Sequence, residues 1–270
     1  MPYENINGLI ELSSESRYKI AIVGVPKAGK SWFAYTAPAP VWTFDFDTRA
    51  ESLKEFCSRY NRTDVEGKSY WDKDPNTPNA MSDVEVDISM FEYLKQSGKP
   101  TPATYVLDSM TYMRAAMEHA LVAQNKGLSR SVKIGTSTMN IAQGWDIING
   151  IRAYMDYIVG RLSELGNVIA VFHEADETDK ATSTKDAKAY TGMKTVQPVY
   201  LATVLSLFND VFRITLDYSG KRIVQVNPTG AFMASTSMRL DENEEPNLTN
   251  MIAKHLNTAS NKFSTSHRAS

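Results

Sequence analysis

The chain has 270 residues, with 29 Lys plus Arg against 31 Asp plus Glu and a formal net charge of −2. That balance argues against a protein coated in positive charge to hold duplex DNA or an anionic membrane, though it leaves room for a local basic groove. Apolar residues at 42% and charged residues at 22% exclude wholesale disorder and a fibrous fold.

The length fits one large α/β domain, expected over residues 18–256, after a polar lead-in at 1–17 and before a flexible tail at 257–270. Cys57 is the only cysteine, so an intramolecular disulfide and a multi-cysteine zinc site are both excluded. A lone thiol suits a reducing compartment, and the expected location is cytoplasmic. The first sixteen residues lack the basic start and apolar run of a signal peptide. No stretch approaches the roughly 18 consecutive apolar residues of a membrane span, so no membrane partner is expected.

In chain order, Tyr18 to Gly24 (YKIAIVG) reads as a buried strand. A short helix over residues 31–37 is stopped by Pro38 and Pro40. Residues 41–47 (VWTFDFD) alternate and turn acidic, which predicts a second strand. Helical spacing follows at Leu53, Phe56, Cys57 and Tyr60. Residues 61–82, polar and carrying Pro75 and Pro78, read as a long loop or insertion. Further elements are a helix over 88–98, a third strand over 104–108, a helix over 110–127 and a polar loop over 128–143. Then come a long amphipathic helix over 144–166 and a fourth strand over 167–173. After a polar stretch at 174–197 the pattern suggests a helix over 199–208, a fifth strand over 211–217 hairpinned to 222–227, and a last helix over 248–256. Strands alternating with helices predict a mainly parallel sheet covered on both faces, with ligands beyond the carboxyl ends of its strands.

Residues 24–31, GVPKAGKS, match G-x-x-x-x-G-K-[ST]. At average residue frequencies this arises by chance in about one chain of this length in a hundred. Context sharpens the match, because a strand precedes it and a helix follows. Gly24 and Gly29 let the backbone curl around an anion, and the helix N-terminus adds partial positive charge. The loop Gly24, Val25, Pro26, Lys27, Ala28, Gly29, Lys30, Ser31, with Trp32 next to it, is therefore the candidate nucleotide cradle. Lys30 would reach the β- and γ-phosphates and the Ser31 hydroxyl would join a Mg²⁺ shell.

Asp108 ends the third strand, where an acid can hold Mg²⁺; a helix cap is its competing role, and Ser109 could serve equally as that cap. Asp45 and Asp47 lie at the end of the second strand, on one face if alternation continues. Asp47, nearer the end, is the candidate for orienting an attacking water, against a turn or capping role. His173, with Glu174 beside it, ends the fourth strand and could sense the γ-phosphate; a satisfied polar residue there is the bland alternative.

Taken together, GVPKAGKS, DFD, YVLDS and the polar end of the fourth strand resemble the RecA-like ATPases, and most closely their compact phage members, the single-strand annealing recombinases. The resemblance spans roughly residues 18–227. It implies strand order 5-1-4-3-2, ATP and Mg²⁺ as nucleotide and cofactor, and catalysis by Lys30, Asp47 and His173. Many relatives carry Glu where Asp47 stands. It also implies two loops facing single-stranded DNA, by position 128–143 and 174–197, and self-assembly into a ring or filament. A basic residue from a neighbouring copy would reach the phosphates, with Arg213, Lys221 and Arg222 as candidates. A single-strand DNA-binding protein is a further candidate partner.

The residues alone give the two loops only modest support. Lys126, Arg130 and Lys133 lie in a run without acids. Lys180, Lys185, Lys188 and Lys194 are offset by Asp186 and by Asp176, Glu177 and Asp179, and Tyr190 could stack on a base. Trp71, Trp145 and Tyr70 read as packing residues. Two other classes remain open: a nucleotide-binding assembly factor without DNA affinity, and a helicase- or packaging-type motor.

Overall fold

The computed structural model describes residues 17–125, 129–134, 137–142, 145–175, 192–193, 206–228 and 234–266. Its elements in chain order are β1 (Lys19–Gly24), α1 (Lys30–Tyr35), β2 (Val41–Asp45), α2 (Ala50–Tyr60), β3 (Val65–Ser69), α3 (Ala80–Gln96), β4 (Thr104–Asp108), α4 (Met110–Gln124), β5 (Ser129–Ile134), β6 (Ser137–Ala142), α5 (Trp145–Leu165), β7 (Asn167–Ala175), β8 (Gly192–Met193), β9 (Asp210–Leu216), β10 (Arg222–Gln225), β11 (Asn243–Glu244) and α6 (Leu248–Ser266).

One sheet runs in the order β11-β10-β9-β1-β7-β4-β2-β3, with β8 against the end of β7; β5 and β6 form a separate hairpin. From β9 through β3 every neighbouring pair is parallel, and β10 turns back antiparallel on β9. The five expected strands occupy the middle of this sheet as β9-β1-β7-β4-β2. The sheet differs from the expected one in an added edge, β3, and in β8 and β11.

The central strands read as continuous apolar runs because both their faces are covered. Alternation assigns each side chain to a face. Ile20 and Ile22 of β1, Val106 of β4, and Ile169 and Val171 of β7 pack with Phe33 of α1, Phe56 of α2 and Met251 of α6. Ala21, Tyr105, Leu107, Val168 and Phe172 point the other way, onto Ile88 of α3, Met117 of α4 and Met155 of α5. Burying a side chain such as Ile22 or Leu107 contributes about 1.5–3 kcal/mol.

Four expectations are corrected. The stretch at 61–82 is not a loop throughout, since Val65–Ser69 pairs in register with Val41–Asp45. The following helix begins at Ala80 instead of residue 88, because Asp72 Oδ1 accepts the Asn79 and Ala80 amides, 2.8 Å each, and satisfies two orphan donors of its first turn. The polar stretch 128–143 holds the β5–β6 hairpin. At the other end, the last helix runs past the expected stop at Leu256 to Ser266. The lead-in at 1–16, most of 174–197 and the expected helix at 199–205 lie outside the described residues.

The register sets the height of each strand end. Asp45 lies level with Asp108, and Asp108 with Val171; Gly24 lies level with His173. The chemistry-bearing residues thus gather at one edge of the sheet.

Candidate functional site

Leaving β1, the chain meets Gly24, where an added Cβ would stand 2.7 Å from the Ile214 carbonyl oxygen of neighbouring β9. Only glycine permits that close approach. Val25 and Pro26 are exposed at the crest of the loop and Ala28 is buried beneath it. Lys27 (φ 66°) and Gly29 (φ 98°) both adopt left-handed conformations. The loop is closed by the Ala28 amide donating to the Val25 carbonyl at 3.2 Å, and α1 starts with Phe33 N–H donating to Gly29 at 2.9 Å. Alternating backbone twists of this kind, running into a helix start, build an anion cradle.

Lys30 is only 5% exposed. Its ammonium donates to the Val25 carbonyl at 2.8 Å. Burial pulls its pKa down to about 8, partly offset by Asp108. Asp108 is buried too. Burial pushes its carboxyl up to about 6, while a hydrogen bond from the Ser31 hydroxyl pulls the other way. The Tyr35 hydroxyl, one helical turn beyond Ser31, also reaches Asp108 at 3.4 Å. A desolvated carboxylate beside a serine hydroxyl fits a Mg²⁺ site, because a divalent ion would restore the charge balance that burial removed. Among the described residues there is no cluster of three His, Cys, Asp or Glu suited to a metal, so such an ion would draw its remaining ligands from phosphate and water.

Asp45 and Asp47 take different partners, although both lie close enough to Asp108 to raise its pKa. The strand ends at Asp45, and the two-residue repeat ends with it. Asp45 accepts the Ser69 hydroxyl at 2.7 Å and the Asp47 amide at 3.0 Å, bracing the end of the strand. Asp47 instead lines the cavity, paired with Arg49 at 2.8 Å and lying 3.8 Å from His173 Nε2. That His173 nitrogen is buried without a hydrogen-bond partner. The ring packs edge-on against Tyr112, and the His173 amide donates to the Thr111 hydroxyl at 3.2 Å.

These groups share one cavity of about 1030 Å³. Lys27, Gly29, Lys30, Ser31, Trp32, Asp47, Asp108 and His173 all line it. One wall continues along α2 through Ser52, Phe56 and Arg59; the Trp32 indole N–H donates to Ser52 at 3.2 Å, and Arg59 lies 4.9 Å over the Trp32 ring. Another wall is Lys221 and Arg222 from the β9–β10 hairpin, with Glu245, Pro246 and Asn247 leading into α6 and Thr249 and Asn250 in its first turn. That wall is fixed to α1, because Thr36 accepts the Leu248 amide at 2.9 Å through its hydroxyl and the Thr249 amide at 3.2 Å through its carbonyl.

Of the other aromatic residues considered, Tyr70 is core and Trp71 is exposed. Arg49 and the α6 wall escaped the sequence reading. Nothing in the spacing from Gly24 to Ser31 announces a wall more than 200 residues further on.

The three basic residues suggested for service to a neighbouring copy are all engaged within the chain. Arg213 forms a buried pair with Glu174 at 2.9 Å and contacts Gln225 at 3.0 Å. Lys221 pairs with Glu245 at 2.6 Å. Arg222 donates to the Ala28 carbonyl at 3.0 Å. No helix among the described residues is long and apolar enough to cross a membrane.

Among curated proteins none matches the chain. The family model described as an AAA domain matches residues 16–237, which takes in the loop, both sheet acids and the hairpin. The match covers most of the chain and includes the G-x-x-x-x-G-K-S loop that lines the cavity, and the chain belongs to the AAA domain family of P-loop NTPases.

Proposed function

We propose that the chain is a Mg²⁺-dependent ATPase of RecA-like organisation that binds single-stranded DNA and promotes strand annealing or recombination, as a phage-encoded protein acting in a ring or filament. The observation that carries the ATPase reading is the convergence of Lys30, the Ser31–Asp108 pair and Asp47 on one cavity beside the loop.

Within that reading Lys30 leaves the Val25 carbonyl to reach the phosphates. Ser31 and Asp108 hold Mg²⁺, which supplies neutralisation of phosphate charge when bound. Asp47 orients a water and accepts its proton. The water oxygen bonds to the γ-phosphorus, the bond to the bridging oxygen breaks, and its electron pair leaves on ADP. His173 Nε2 lies near enough to Asp47 to respond to the loss of the γ-phosphate. Asp47→Asn should keep nucleotide binding and lose hydrolysis; normal turnover in that variant would show that another group positions the water.

Support for the DNA part is lighter. The β5–β6 hairpin, residues 129–142, carries Arg130 and Lys133 and no acid, and the strand order in the middle of the sheet agrees with the resemblance. One observation favours a second reading, a nucleotide-binding assembly factor with little turnover: the Arg49–Asp47 ion pair occupies the carboxylate that hydrolysis needs. Gel shifts with single-stranded DNA, with and without ATP at two salt concentrations, separate the readings. Phosphate contacts predict a complex that weakens steeply with salt. Absence of any salt-sensitive complex favours the assembly factor.

A further inference from the structure

We infer that Arg222 serves the phosphate loop of its own chain, as a phosphate-contacting residue supplied in cis. The inference rests on the nucleotide-binding reading above and departs from the neighbour-supplied role that the resemblance implies.

Arg222 is the first residue of β10, immediately after the hairpin turn. Its Nε donates to the Ala28 carbonyl at 3.0 Å, 194 residues away in sequence. Its Nε and Cδ lie 2.8 and 3.0 Å from the position a Cβ on Gly29 would take, so the side chain rests directly on the loop's left-handed residue. The missing side chain at Gly29 therefore has two uses: it permits φ 98°, and it admits Arg222.

The charges around it set Arg222 apart from the other arginines that line the cavity. Arg49, Arg213 and Lys221 are each matched by a carboxylate, at 2.8, 2.9 and 2.6 Å. Among the described residues Arg222 has no acidic partner, and it faces the same cavity as Lys30 and Ser31. Its Nε is committed to a neutral carbonyl, which leaves the terminal guanidinium nitrogens for an anion. A guanidinium offers a planar fork that matches phosphate oxygens.

The mounting is rigid and local. β10 pairs with β9, and β9 lies parallel against β1, the strand that feeds the loop. The Arg213–Gln225 contact adds a side-chain tie between β9 and β10. Arg222 thus stands two strands from the loop it touches, held by the chain's own sheet, and no second copy is needed to bring it there.

The test is equilibrium binding of a fluorescent ATP analogue with Mg²⁺, at dilutions where sedimentation gives single chains. Arg222→Ala and Arg222→Gln should each weaken ATP binding about 10- to 100-fold, the scale of a hydrogen bond to a charged group. ADP binding should weaken less, Arg222→Lys should recover part of the loss, and melting curves confirm that the variants fold. Unchanged ATP affinity in single chains would overturn the assignment. So would recovery of ATP turnover on mixing Arg222→Ala with Lys30→Ala chains, since only a residue acting across subunits can complement in that way. Wild-type chains that bind no Mg·ATP at all would instead sink the nucleotide reading underneath.

Discussion

Lys30→Met should stabilise the chain in the absence of nucleotide, and the gain should shrink as pH rises. Lys30 is nearly buried, and burial lowers its pKa from 10.5 to about 8. At about 1.4 kcal/mol per unit, holding the ammonium in the fold costs up to about 3 kcal/mol while both folded and unfolded chains carry the proton. The sign follows from proton counts. Between pH 8 and 10.5 the unfolded chain binds more protons, so the wild type gains stability with rising pH and the penalty fades. From pH 7 to 9.5 the gap between variant and wild type should close by about 2 kcal/mol. At roughly 2–4 °C per kcal/mol that is about 4–8 °C in Tm. Titrating groups away from the loop act on both chains alike and cancel in the comparison, and Asp108, which is coupled to Lys30, titrates near 6, below this range. The Asp108 attraction is already contained in the pKa of about 8, and the lost hydrogen bond to Val25 lowers the gap while leaving its slope. The assay is thermal melting of both chains across this pH range, repeated with Mg·ATP. A gap that does not narrow, or a variant that gains as much from Mg·ATP as the wild type, would refute the reasoning.

Asp108 gives the mirror case. Its carboxyl is raised from 3.8 to about 6, so stability is lost as pH rises through 6, by up to about 3 kcal/mol. Asp108→Asn should melt higher than wild type at pH 7 without nucleotide and lose the Mg²⁺ dependence of ATP binding, read by titrating Mg²⁺ at fixed ATP. In the wild type that dependence should weaken as pH falls below about 6. Gly29→Ala meets both a left-handed backbone and the Arg222 side chain; it should cost about 1–2 kcal/mol in denaturant melts and abolish ATP binding. Arg49→Ala should free Asp47 and raise the hydrolysis rate per bound ATP, measured by phosphate release; a fall would show that Arg49 itself assists the reaction.

The loop and the central strands were legible because their signals are local: a glycine-lysine motif, and apolar runs buried on two faces. What escaped was set by distant partners. β3 carries one buried residue, Val65, and four exposed ones, since it lies at the sheet's edge and owes its place to the β2 backbone. The first turns of α3 depend on Asp72, seven and eight residues upstream of the amides it accepts. The two acids of DFD differ because Ser69, which belongs to the overlooked strand, claims Asp45. The contact between Arg222 and Ala28 needed the β9–β10 hairpin laid beside β1 in the sheet, which no spacing in the sequence encodes.

Isothermal titration of the folded chain with Mg·ATP bears most directly on the phosphate-loop assignment. A saturable heat at one site per chain is predicted for the wild type, with none for Lys30→Ala. No heat from well-folded wild-type chain, with either Mg·ATP or Mg·GTP, would contradict it.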